Sequence, residues 1–120
     1  MKSRLIAVGD IHGCIEKLNE LLRQLKPKKA DTLVFLGDYI DRGKYSKEVI
    51  NRLIELSKQT NCIFLKGNHE QMLLKLLETK QEDDVVFWMI NGGKETFDNY
   101  GSFPEIFDLH GEFLNNLKPY

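Results

Sequence analysis

Neither sign of charge dominates this sequence. Its 120 residues carry 17 Lys plus Arg against 18 Asp plus Glu, a formal net charge of -1. So balanced a chain gives no electrostatic ground for wholesale binding to nucleic acid or to an anionic membrane surface. Local basic runs such as Lys26–Lys29 read as solvated loop. No apolar stretch approaches the roughly 20 residues needed to cross a bilayer. The N-terminal MKSRLIAVGD carries basic residues but too short an apolar core for a secretion signal, and reads as a first strand. Cysteine is scarce. Cys14 and Cys62 have no metal-type spacing and read as free thiols in a reducing cytoplasm. No repeat, low-complexity tract or linker interrupts the chain. With 42% hydrophobic and 29% charged residues, residues 1–120 make one modest globular domain.

Three short apolar runs share one punctuation. RLIAV ends in Gly9-Asp10, TLVFL in Gly37-Asp38, and CIFLK in Gly67-Asn68. Each is strand-length and rich in Val, Ile, Leu and Phe. Between the first two, Ile15, Leu18, Leu21, Leu22 and Leu25 recur at helical spacing until Pro27. Between the second and third, Val49, Ile50, Leu53, Ile54 and Leu56 form an apolar face behind Ser46, a candidate N-cap. This alternation predicts an α/β fold, βαβαβ with parallel strands. In such sheets ligands bind beyond the carboxyl ends of the strands, so all three endings should open onto one crevice. From His69 onward the chain reads as helical: EQMLLKLLE, EDDVVFWMINGG, KETFDNYG and GEFLNNL. Phe87, Trp88, Met89 and Phe97 read as packing residues.

The endings carry chemistry. In GDIHG, Asp10 and His12 are two apart, so an extended segment points both side chains the same way. A carboxylate beside an imidazole suits a divalent transition metal; the competing reading is a strand-to-helix turn with Asp10 as a cap. GDYIDRG adds Asp38, whose two oxygens can bridge two ions, then Asp41 and Arg42. Arginine's planar fork binds phosphate oxygens bidentately. GNHE adds Asn68, with an amide oxygen able to ligate a metal, and His69, a candidate proton donor. On a strand-like ending these two neighbours would point to opposite sides. Turn chemistry accounts for any one ending alone, but not for the convergence of all three.

The ordered set GDIHG, GDYIDRG and GNHE resembles the calcineurin-like metallophosphoesterases. The Arg42 that follows Asp41 makes it similar to the branch holding the serine/threonine protein phosphatases and the symmetrical diadenosine tetraphosphate hydrolases. WMINGGKETFDNYG resembles a stretch common in bacterial members. The resemblance implies that Asp10 and His12 bind a first metal, that Asp38 bridges to a second, and that Asn68 binds the second. It implies that Arg42, with Asn68 and His69, holds the phosphate. His69, oriented by Asp41, would protonate the leaving oxygen, making His69, Asp41 and Arg42 the catalytic set. The implied cofactors are divalent transition metal ions, manganese foremost, with iron, zinc, cobalt or nickel as alternatives. The implied partner is a phosphorylated protein or small phosphate substrate, with no nucleic acid and no membrane.

The pattern breaks in the second half. Members of the family carry two further histidine ligands for the second metal, whereas this chain has only His12, His69 and His110. His110, in the polar stretch DLHGEFLNNL, reads as a solvent-exposed histidine. The expected fold is therefore the N-terminal βαβαβ half of a metallophosphoesterase-type sandwich followed by a helical segment, an apparently truncated domain. One metal should dominate, and an exposed sheet edge favours a homodimer. Weak activity, or a metal-binding module without activity, is the competing expectation.

Overall fold

The three apolar runs form three four-residue strands. In the computed structural model, which describes residues 3–119, β1 is Leu5–Val8, β2 Thr32–Phe35 and β3 Asn61–Phe64. They pair in parallel in the order β1-β2-β3, with Val8 opposite Phe35 and Phe35 opposite Phe64. Alternation then sorts the side chains. Val8, Leu33 and Phe35 are buried on one face, with Ile6, Cys62 and Phe64 packed beside them. The other face is bare: Leu5 is 77% exposed, and Ile63 is exposed too.

Two helices connect the strands, as the spacing of their leucines and isoleucines requires. Helix α1 (Ile15–Leu25) buries Leu18 and Leu22, and ends at Lys26 in the left-handed region just before Pro27. Helix α2 (Ser46–Ser57) buries Val49, Ile50, Leu53 and Leu56. Ser46 does not cap it. It is the first helical residue, and its hydroxyl turns inward to accept from the Asp41 amide at 3.1 Å.

Helix α3 (Asn68–Thr79) starts immediately at the third ending, so Asn68 and His69 are helical and do not alternate as on a strand. Gly67 precedes it without a capping side chain. Asp38 fills that role from the neighbouring loop, its Oδ1 accepting from the His69 amide at 3.0 Å. The rest is helical, as expected, but for one kink: α4 (Glu82–Trp88), a kinked connection (Met89–Gly93) where Asn91 and Gly92 leave helical geometry, α5 (Lys94–Tyr100) and α6 (Phe103–Asn115). Trp88 is fully buried and Met89 and Phe97 pack beside the core, but Phe87 is exposed. Helix α6 begins well before the GEFLNNL stretch. Ser102 caps it by accepting from the Glu105 amide, and Pro104 sits in its first turn, where the missing N–H costs nothing.

That early start overturns the reading of His110. Ile106, His110 and Leu114 follow at four-residue steps and all are buried. His110 lies between the Tyr100 hydroxyl, 2.5 Å from Nδ1, and Asn51 Oδ1, 2.7 Å from Nε2. Both ring nitrogens are occupied, so it joins α6 to α5 and α2 and is neither exposed nor free to ligate. The chain returns beside β3, where Leu65 and Lys118 form a parallel bridge. Cys14 and Cys62 are both free. No helix among the described residues is long and apolar enough to cross a membrane.

Candidate active site

Backbone hydrogen bonds tie the first two endings together. The amides of Ile11 and His12 donate to the Asp38 carbonyl, and Gly13 N–H donates to the Tyr39 carbonyl. The third ending comes closer still. A Cβ on Gly67 would stand 2.3 Å from the Asp38 nitrogen, so only glycine allows that approach. His12, Asp38, Asp41 and Arg42 all have positive φ. Each such conformation costs an L-residue on the order of 1 kcal/mol, so the surroundings must hold these residues in place.

Glu70 supplies part of that hold. It is fully buried, with one carboxylate oxygen accepting from Asp38 N (2.6 Å) and Gly67 N (2.9 Å). The other accepts from Tyr39 N (2.8 Å) and Ile40 N (3.3 Å). Burial pushes its pKa up, against the hydrogen bonds from the Asp38, Gly67 and Tyr39 amides. All four partners are donors, so the carboxylate is the form that this geometry satisfies. Glu70 is the last residue of GNHE. Its spacing from Gly67, three residues as in a capping box, was the available signal.

Asp10, His12 and Asp38 each offer a ligand atom within 4.8 Å of the others. His12 Nδ1 donates to the Ile40 carbonyl at 2.9 Å, which leaves Nε2, 3.8 Å from Asp10 Oδ2, with its lone pair free for a metal. Fixing the tautomer through the second nitrogen is how protein scaffolds prepare an imidazole for a metal. Two carboxylates and a correctly protonated imidazole fit a divalent cation. Asp10 and His12 meet because His12 adopts a left-handed turn, not because the segment is extended.

The His69 ring stands edge-on to His12, with centroids 4.8 Å apart. Its Nδ1 meets Asp41 Oδ2 at 2.8 Å. Asp41 is fully buried, and burial pushes its carboxyl up against hydrogen bonds from Thr96, His69 and Trp88. Asn68 is exposed and lines, with His69, Met72 and the unexpectedly exposed Phe87, a depression of about 490 Å³. Arg42 is exposed in a neighbouring hollow with Ile90, Asn91, Gly92 and Glu95. No carboxylate among the described residues pairs with its guanidinium. Its amide donates to the Gly92 carbonyl at 2.9 Å, and Gly92 has φ 102°, with Arg42 Cγ 2.6 Å from where a Cβ would stand.

The family model for calcineurin-like phosphoesterases matches residues 3–120. The chain belongs to this family. Its three-strand parallel sheet and helices match a metallophosphoesterase-like fold. Among curated proteins it is 41% identical over 104 residues to serine/threonine-protein phosphatase 2 of Escherichia coli K12, covering 85% of this chain and 44% of that protein. The chain spans less than half the length of the curated relatives it matches. One similar solved structure, provisionally titled a diadenosine tetraphosphatase, is 27% identical with a TM-score of 0.58, covering 96% of this chain and 46% of that one. A Saccharomyces cerevisiae serine/threonine phosphatase structure shares the fold, with a TM-score of 0.62 at 24% identity, covering 98% of this chain and 36% of that one.

Proposed function

We propose that this site hydrolyses phosphomonoesters with metal assistance, its substrates being phosphoserine or phosphothreonine in proteins. One observation carries the reading: a three-ligand group, Asp10, His12 and Asp38, stands directly beside a buried carboxylate–imidazole pair, Asp41 and His69. Asp10 and His12 would hold a first divalent ion, with manganese the ion we favour. Asp38 would reach toward a second, for which Asn68 is the remaining ligand. When bound, such ions supply positive charge to the phosphoryl oxygens and lower the pKa of attacking water.

The chain's own groups do the rest. Arg42, whose guanidinium has no ion-pair partner among the described residues, offers its fork to two phosphate oxygens. Asp41 holds the Nδ1 proton of the doubly protonated His69 ring, whose Nε2 proton then passes to the departing oxygen. Phosphoryl transfer asks chiefly for positioning and charge neutralisation, which these residues are placed to give. Since Asn68 is neutral and Asp38 shared, the first ion should bind far more tightly than the second.

The similarity to a structure titled as a diadenosine tetraphosphatase supports a second reading, symmetrical hydrolysis of a dinucleoside tetraphosphate. The third reading is a metal-binding module with little or no turnover, supported by the single three-ligand group among the described residues. The bare sheet face bearing Leu5 and Ile63 supports association with a second copy, which sedimentation tests. Assaying the purified chain with added manganese on a phosphopeptide and on diadenosine tetraphosphate separates the catalytic readings. Turnover of the phosphopeptide alone supports the first; no turnover of either, with manganese bound, leaves the module.

A further inference from the structure

Asp41 has more partners than the His69 pair requires. The Trp88 indole N–H donates to Asp41 Oδ2 at 2.7 Å, the same oxygen that meets His69. The Thr96 hydroxyl donates to Asp41 Oδ1 at 2.7 Å. That spends the only hydroxyl proton Thr96 has. Its oxygen must then accept from Asp41 N at 2.9 Å, and Ser46 must be the donor in the 3.0 Å contact between the two hydroxyls. Asp41, Thr96, Ser46 and Trp88 are all buried without residual exposure, and no buried side-chain polar atom among the described residues lacks a partner.

Trp88 and Thr96 lie on either side of the Met89–Gly93 kink between α4 and α5. This kink, where Asn91 and Gly92 leave helical geometry (Gly92 φ 102°, ψ 3°), joins two separate helices. Here it lets α4 and α5 deliver donors to opposite oxygens of one carboxylate. Gly93 belongs to the same arrangement, because a Cβ there would stand 2.2 Å from the Trp88 ring.

We infer that Trp88 and Thr96 are positioning residues that fix the plane of the Asp41 carboxylate, so that the helical segment sets the ring orientation and tautomer of His69. The inference rests on the reading of His69 as the proton donor for its catalytic consequence, but not for its structural one. With both oxygens held, the carboxylate cannot rotate, and Oδ2 stays aligned with Nδ1. Without one donor it gains a rotational degree of freedom, and His69 can exchange tautomers or turn.

The test uses the full chain with Thr96→Val, Thr96→Ser and Trp88→Phe. Long-range proton–nitrogen correlation spectra report which His69 nitrogen carries the proton, independently of turnover. Thr96→Val should move the His69 nitrogen signals, and Thr96→Ser, which keeps the hydroxyl, should restore them. Trp88→Phe should move them too; if it does not fold, the threonine pair decides. With manganese added, Thr96→Val should lower kcat on phenyl phosphate on the order of tenfold but on p-nitrophenyl phosphate only slightly, because a good leaving group needs little protonation. KM should hold. Unchanged His69 signals in folded Thr96→Val overturn the inference. Moved signals in a chain that turns over neither ester support the positioning role and overturn the phosphatase reading.

Discussion

Replacing Glu70 with glutamine keeps the shape of the side chain and removes half of its accepting capacity. The parent carboxylate receives four backbone amides, two on each oxygen, at 2.6 to 3.3 Å. Whichever oxygen becomes the NH₂ group, two of those amides then face a donor. Leaving a buried donor unsatisfied costs about 1–3 kcal/mol, so two should cost about 4 kcal/mol. Against a typical domain stability of about 5–15 kcal/mol, that is a large share. The loss is also specific in place. The amides released belong to Gly67 and Asp38, or to Tyr39 and Ile40, and the loop they sit in carries Asp38 into the Asp10–His12 group. Urea unfolding should show the drop in stability, and titration with manganese under conditions where the variant is folded should show weaker binding. If Glu70→Gln unfolds within about 0.5 kcal/mol of the parent, the range of an ordinary surface change, and binds manganese equally well, Glu70 does not hold this loop.

Gly92→Ala should lose about 2 kcal/mol and also weaken phosphate binding. The new Cβ forces an unfavourable φ and meets Arg42 at 2.6 Å; thermal unfolding and phosphate titration check both effects. Arg42→Lys should weaken phosphate binding about tenfold with no loss of stability, since the guanidinium has no ion pair among the described residues to lose; equal phosphate binding with easier unfolding would mark Arg42 as structural. Burial lowers the pKa of His110 from 6.5 to about 4, with Lys47 adding to the shift. A depressed histidine pKa means the unfolded chain takes up the proton first. The contribution is therefore intact above pH 6.5 and falls away toward pH 4, by about 2 kcal/mol at pH 5. Urea midpoints at pH 7 and pH 5 should show this loss in the parent, and His110→Gln should remove that part of the slope.

The strands and the two crossover helices were legible because their signals are local and periodic. Leu18, Leu22, Val49, Ile50 and Leu53 lie inward as their spacing requires. The crevice was legible because parallel strands put their carboxyl ends on one side, and three Gly-Asp or Gly-Asn endings had to meet there. What was missed depends on contacts across long sequence separations. Ser46 reads as a cap from its neighbours alone, yet its hydroxyl is claimed by Asp41 and Thr96, the latter 50 residues away. His110 reads as exposed within a polar stretch, but a helix begun at Phe103 turns it toward Asn51 and Tyr100. Phe87 reads as core by its chemistry and is 59% exposed beside the site, because Trp88 takes the inward position on α4. Asp10 and His12 do meet, through a left-handed turn at His12 that no residue pattern announces.

Metal binding at Asp10, His12 and Asp38 is the claim on which the rest depends. Isothermal titration of the full chain with manganese, repeated on a folded Asp38→Ala variant, tests it most directly. The account predicts one tight ion per chain, a second bound far more weakly, and loss of the tight site in the variant. No binding by the parent, or equal tight binding by Asp38→Ala, would contradict it.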